Sequence, residues 1–434
     1  MPRPRARQTL TRRPTRAVIS IILAGFTLAV GYSFAIRLRW GPDEPGHIAY
    51  IESLALDGRF PTLGEQDVYL PGAAISHQVQ HPPLYHLLAA GIYRMASPLS
   101  EDTRIRALRL FSGVLGVATL WLLWLLSGLI FETDYRARLV AVAGLAFLPM
   151  FSYVSGVVNN DALVVPLCVA AFYATVTVAA TNDGFWRYAA AGALAGMAAL
   201  TKEVALALLP VMIIAFLLPR GQGGPGLRRR LAGAVVALIP ALAIPAMWWI
   251  RNLSLFGQPI VYAYVKPPFR NVGEIFADPY LALYIAWGWG KLTFRTLWAP
   301  YWAIRGIVPR VPYVAVSATV LVAGVAGLVR LWVDNLRNRR PLARVPAQAL
   351  GLMLMFAALA AVGILRYTLL VDYRTMEGGR YMLIAWPCLT ILGTAGWAHG
   401  ANRLRAAVLW LLVLIWVVGD LTVLWAVGRT YQVW

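Results

Sequence analysis

Apolar positions along the chain fall into long runs, each near the roughly 20 residues that carry a helix across a bilayer core, and polar positions collect between them. These runs cover about residues 17–36, 108–131, 139–156, 162–181, 187–201, 203–219, 231–250, 311–331, 347–370, 381–398 and 406–428. They predict an all-α polytopic membrane protein with about eleven transmembrane helices, in one domain over residues 1–434 without a separate soluble domain. The Arg-rich stretches Arg228-Arg229-Arg230, Arg337 to Arg344 and Arg403 to Arg405 should share the cytoplasmic side with the Arg-rich tail of residues 1–16. An even number of spans must then separate each from the next. That parity holds only if the helix-like segment His81 to Ala96 and the Trp-rich stretch Tyr280 to Pro300 do not cross, which makes both interfacial elements of the outer face.

Composition agrees with this reading and excludes a soluble globule. Hydrophobic residues make up 59% of the 434 and charged residues 13%, against about 45–50% and about 25% in soluble domains. The formal charge of +20 is carried by 36 Arg and 3 Lys, many of them in short segments between apolar runs. It therefore reads as positive-inside topology and not as a nucleic-acid surface. Of the 19 acids, 14 fall on the outer side or at its boundary. The run after the tail is long for a signal sequence and no small-x-small site follows it, so a retained first span is expected. Cys168 and Cys388 lie inside apolar runs and read as small core residues, with neither a disulfide nor zinc. The expected location is a bacterial plasma (inner) membrane with a cytoplasmic N-terminus, the Arg-for-Lys and Ala-rich bias pointing to a GC-rich genome.

Chemistry, on this topology, belongs to the two long outer loops, residues 37–106 and 251–310, and to the short segments facing them. Asp43 and Glu44 stand between Pro42 and Pro45 just after the first span, where reduced solvation can raise a carboxylate's basicity; the plainer alternative is an N-cap for the helix suggested by His47 to Leu56. His81-Pro82-Pro83 pre-sets a helix start whose free amides, with His81, would meet a phosphate oxygen. His47, His77, His81 and His86 cluster in this loop without a standard zinc spacing. Asn159-Asn160-Asp161 offers a second carboxylate, with Asn159 better read as a helix cap. Lys202 needs either Glu203 or an anionic ligand as partner so near hydrocarbon. Arg251, after Trp248-Trp249, and Arg380, after Glu377-Gly378-Gly379, would suit a phosphate clamp, though snorkelling also explains a boundary cation. Asp420 lies within the last span and reads as a local hydrogen-bonding group.

The order of these signals resembles the polytopic glycosyltransferases of the C superfamily (GT-C), most of all bacterial members allied to protein O-mannosyltransferases and lipid A aminoarabinose transferases. The resemblance rests on Pro42-Asp43-Glu44-Pro45-x-His47 and His81-Pro82-Pro83-Leu84-Tyr85, then on Arg109-Leu110-Phe111-Ser112, Asn160-Asp161-Ala162, Thr201-Lys202, Trp249-x-Arg251-Asn252 and Gly379-Arg380-Tyr381. It spans about residues 17–400. It implies juxtamembrane helices in the first outer loop, catalysis on the outer face, and inverting transfer of a hexose or pentose from a polyprenyl-phosphate or pyrophosphate donor to a hydroxyl of a lipid, glycan or protein acceptor. Asp43 would then be the base and Glu44 its helper, or the reverse, with Asp161 a third catalytic acid. His47, His81, Lys202, Arg251, Glu377 and Arg380 would bind substrate, and Asp43, Glu44 and Asp161 would be the ligands of any divalent cation (Mg or Mn). The chain departs from the family in lacking a Trp-Trp-Asp motif, since Trp248-Trp249 is followed by Ile250. A transporter or flippase for polyprenyl-linked sugars, or a noncatalytic binding subunit, is the competing reading; transport would spread polar residues through the spans, whereas here they gather at one face.

Overall fold

The structure, a computed structural model, describes residues 16–62, 78–181, 184–218, 224–262, 273–274, 277, 279–299, 312–337, 342–370, 378–400 and 405–431. All regular elements among these residues are helical. In chain order they are α1 (Arg16–Ala35), α2 (Glu44–Glu52), α3 (Leu84–Met95), α4 (Glu101–Phe131), α5 (Tyr135–Ala146), α6 (Pro149–Ser155), α7 (Asp161–Thr181), α8 (Phe185–Ala199), α9 (Leu208–Leu217), α10 (Leu227–Phe256), α11 (Pro279–Trp298), α12 (Pro312–Leu336), α13 (Arg344–Leu370), α14 (Trp386–Gly400) and α15 (Arg405–Thr430). A π-helical turn, Ser53–Asp57, extends α2, and 3-10 turns at Glu203–Ala207 and Gly379–Ile384 precede α9 and α14.

Each of the eleven apolar runs coincides with helix. Among the described residues six helices are long and apolar enough to cross a membrane, or seven if α5 and α6, bent by 62° at Phe147-Leu148, form one span. Leu148 is followed by Pro149 at the first turn of α6, and the missing proline N–H accounts for a break at this point. The chain is thus a multi-pass membrane protein. The segment His81 to Ala96 forms the short helix α3, and the Trp-rich stretch forms α11, which is not among the six.

Small residues set the closest helix approach. On α8, Gly192 and Gly196 lie four apart and face α10; a Cβ on Gly196 would come 2.7 Å from the Pro240 carbonyl oxygen, and one on Gly192 would overlap the Ala237 carbonyl. In a bilayer such close backbone packing replaces the hydrophobic drive available in water. Large apolar side chains such as Ile239, Met247 and Ile250 of α10 remain exposed, as a lipid-facing surface requires.

One buried ion pair ties the loop after α1 to the bundle. Arg109 of α4 donates from Nε to Glu44 Oε1 (2.8 Å) and from Nη2 to Glu44 Oε2 (2.6 Å), with both side chains at 0% exposure. Its remaining donors reach the carbonyls of Ser33, Ile36 and Arg37 at 2.6, 2.7 and 2.9 Å. The first belongs to the last turn of α1 and the other two follow directly after it. Glu44 in turn accepts from the backbone amides of Gly41 and Val158, each at 3.0 Å. All five guanidinium donors and both carboxylate oxygens are used, the condition under which a buried pair is tolerable.

Removing one member leaves the other charged and buried. Arg109→Met is expected to cost about 3–5 kcal/mol and to lower the thermal midpoint of the detergent-purified protein sharply. The double variant Arg109→Met, Glu44→Gln should recover part of that loss. Glu101→Gln, on the solvent side of the Arg39 pair, should leave the midpoint near wild type. A single Arg109→Met variant with an unchanged midpoint would contradict the analysis.

Candidate active site

Asp43 and Glu44 are adjacent yet diverge. Asp43 occupies the N-cap position of α2 with a left-handed backbone (φ 58°, ψ 5°), and its side chain makes no capping bond. The N-cap alternative therefore holds for its position and fails for its carboxylate. A left-handed conformation is strained for a residue with a Cβ, though Asp tolerates it better than most. The turn sends Glu44 inward to Arg109, whereas Asp43 pairs with Arg380 and keeps 43% of its side chain exposed. Burial opposes charge on Asp43, and the Arg380 guanidinium outweighs it, holding the carboxyl below its usual range.

Arg380 is delivered by the 3-10 turn before α14. The Gly379 amide donates to Thr296 Oγ1 of α11 at 2.7 Å, and a Cβ at Gly379 would sit 2.6 Å from the Thr293 carbonyl oxygen, so only glycine allows this approach. Arg380 Nη2 serves both Asp43 and the Tyr381 hydroxyl (3.2 Å), while Nη1 is buried without a partner among the described residues. The Tyr381 ring also lies 4.9 Å from Lys202 Nζ. Lys202 does have a partner, but it is Asp161, not Glu203: Nζ to Oδ1 is 2.5 Å, with side chains 8% and 3% exposed. Asn159 caps α7 as its position suggests, its Oδ1 accepting the Asp161 amide at 2.8 Å.

Three imidazoles stack behind Asp43. His47 Nδ1 lies 3.0 Å from His86 Nε2, the rings of His47 and His81 are parallel at 6.0 Å, and Tyr50 covers His86 at 4.0 Å. Burial holds all three neutral; neighbouring imidazoles and nearby cations reinforce this for His47 and His81, and burial pulls His86 down to about 3. The first amide of α3 is not free for a phosphate, because Leu84 N donates to the Leu200 carbonyl at 3.1 Å.

A cavity of about 630 Å³ collects these groups. Asp43, His47, His81, Lys202 and Arg380 line it together with apolar Leu206, Ile260, Val261, Leu359 and Ile364. Asp161 sits beneath Lys202 and is not part of the lining, and Glu44 is sealed in the protein. Arg251 also stands apart: Nη2 donates to the Pro61 carbonyl at 3.2 Å, and its guanidinium lies 4.6 Å from the Trp248 ring. Glu377 lies outside the described residues. Asp43, Glu44 and Asp161 each face a protein cation and do not converge; among the described residues no three His, Cys, Asp or Glu side chains are arranged to hold a metal ion.

Among the lining residues that the sequence reading did not single out are Tyr262, Arg366 and Tyr367. Arg366 carried a usable signal, a cation inside the apolar run 347–370. The tyrosines carried none. Asp420, by contrast, behaves as read, buried and bonded to Tyr32 (2.8 Å) and Ser152 (2.6 Å).

Comparison with known proteins extends these observations. Residues 80–249 match the family model described as dolichyl-phosphate-mannose-protein mannosyltransferase. No curated protein matches the chain. Among solved structures, the apo oligosaccharyltransferase of Archaeoglobus fulgidus is similar with a TM-score of 0.56 and 15% identity over 95% of this chain and 56% of that one. The same archaeal enzyme, AglB, in complex with an inhibitory peptide and a dolichol-phosphate gives a TM-score of 0.52, 14% identity and coverage of 95% and 55%. ArnT from Cupriavidus metallidurans bound to undecaprenyl phosphate gives 0.51 and 14% over 99% of this chain and 77% of that one. The chain thus spans little more than half the archaeal protein's length and most of ArnT's. It shares the fold of these two proteins, and residues 80–249 match the mannosyltransferase family model named above.

Proposed function

We propose that the chain transfers a sugar from a polyprenyl-phosphate donor to an acceptor hydroxyl, with inversion, in a cavity open to the outer face of an eleven-span inner-membrane protein whose N-terminus is cytoplasmic. The observation that carries this reading is the joint presence, in one cavity with apolar walls, of a partly exposed carboxylate (Asp43) and two cations (Lys202 and Arg380). Solved relatives of this fold bound to dolichol-phosphate and to undecaprenyl phosphate support the donor class.

The division of roles follows from charge and position. Lys202 and Arg380 hold the donor phosphate and stabilise the charge that develops on it as the bond to the sugar's C1 breaks. The departing electron pair stays on the phosphate oxygen. Asp43 accepts the proton of the acceptor hydroxyl, whose oxygen forms the new bond to C1 from the opposite side. Glu44 is a positioning residue, because Arg109 occupies it fully. Asp161 acts through Lys202. Neutral His47 and His81 offer hydrogen bonds to a bound ligand without competing for its charge. No step is routed through a divalent cation.

Asp43→Asn is expected to lower kcat by about 10²–10⁴-fold with donor affinity retained, whereas Lys202→Met should weaken donor binding itself. Radiolabelled polyprenyl-phosphate sugars and purified protein in detergent provide both readouts. Full turnover by Asp43→Asn would overturn the assignment.

The pH profile checks the Asp43–Arg380 pair separately. A carboxyl held below its ordinary value stays ionised until the pH falls below about 4, so the acid limb of kcat/KM should appear only there, and the pair's contribution to stability should be lost in the same window. Arg380→Gln removes the lowering influence and leaves burial, so the limb should move to higher pH. A limb that stays in place in that variant would refute the coupling.

A further inference from the structure

Glu203 lines the same cavity as Asp43, Lys202 and Arg380. Its chain neighbour Lys202 is committed to Asp161, and Glu203 itself forms no salt bridge among the described residues. Carboxyl groups in such surroundings normally have a cation; this one lines the cavity without a salt bridge among the described residues. Tyr262 and Arg366 line the same cavity, and the Tyr262 ring meets that of Tyr367 edge-on at 5.3 Å. The group combines one carboxyl, one phenol, one guanidinium and two aromatic faces.

We propose that Glu203, with Tyr262 and Arg366, is the subsite that recognises the hydroxyl groups of the donor sugar. The inference rests on the reading of the cavity as a polyprenyl-phosphate-sugar site. Lys202 and Glu203 are consecutive, with Cα atoms about 3.8 Å apart, and both line the cavity. A phosphate on Lys202 therefore places the sugar attached to it within reach of the next side chain. A carboxyl accepts two hydroxyl donors at once, the tyrosine rings offer apolar faces, and the Arg366 donors match hydroxyl oxygens. Few, convergent polar groups on an apolar wall are what selects one small ligand from its stereoisomers.

The test compares binding of bare undecaprenyl phosphate with binding of the same lipid phosphate carrying mannose, glucose, galactose or arabinose, using purified full-length wild type and Glu203→Gln. Wild type should bind one sugar-bearing lipid more tightly than the bare lipid. Glu203→Gln should lose that increment by about tenfold or more while its affinity for bare undecaprenyl phosphate stays within about twofold, which also shows the variant to be folded. Glu203→Asp should recover part of the increment. Retention of the full increment in Glu203→Gln overturns the proposal, as does an equal loss for bare and sugar-bearing lipid, a fall in kcat or a rise in acceptor KM with donor binding intact, or a wild type that binds no sugar-bearing lipid better than the bare one. Failure of wild type to bind bare undecaprenyl phosphate at all would instead remove the underlying donor reading.

Discussion

The Arg109–Glu44 pair is the constraint on which the site depends. A guanidinium and a carboxylate at 0% exposure are tolerable only with every donor and acceptor filled, and here the filling groups come from four separate places: the end of α1, the Gly41 turn, α2 and the Val158 segment. Because the bonds are numerous and directional, they fix where α2 begins to within a fraction of a turn. Asp43, one residue earlier, is positioned as a by-product. Its left-handed backbone is a strain of the kind that persists only where surrounding bonds over-determine it, and Glu44 supplies those bonds.

The same principle governs the cations of the cavity. Near hydrocarbon a bare Lys or Arg is expensive, so Lys202 rests on Asp161 and Arg380 on Asp43. The two cations also share the Tyr381 ring, at 4.9 and 5.0 Å. Pairing each cation with its own carboxylate sets Asp43 and Asp161 on different partners. It also keeps the cations ordered before any ligand enters, so less side-chain freedom is lost on binding.

Much of the fold was legible because its signal is one-dimensional. Apolar run length and Arg placement mark helices such as α4, α7 and α13 directly, and each contains its predicted run. The site was legible only as a set of residue types. Asp43, His47, His81, Lys202 and Arg380 do share a cavity, but the sequence alone offered no way to tell which of Asp43 and Glu44 lines it, because that is decided by one backbone angle and by Arg109, 65 positions from Glu44. Lys202 illustrates the same limit: the nearest acid along the chain is Glu203, while the partner in space is Asp161, brought in by the packing of α7 on α8. Tyr262 and Tyr367 carry no charge or spacing signal, so only the cavity reveals them.

On the proposed reading, the resting pair between Asp43 and Arg380 resolves an electrostatic difficulty. A carboxylate held below its usual range beside a guanidinium is a poor base, which looks wrong for a group that must take a proton. Yet a donor phosphate is a better partner for Arg380 than a half-exposed carboxylate, since it offers several oxygens to a planar fork of donors. As Arg380 turns to the phosphate, the lowering influence on Asp43 goes and the opposing effect of burial remains, so the carboxyl becomes more basic when a donor is in place. An empty site would keep its base quiet, and the charge that neutralises it at rest is the charge the leaving group needs.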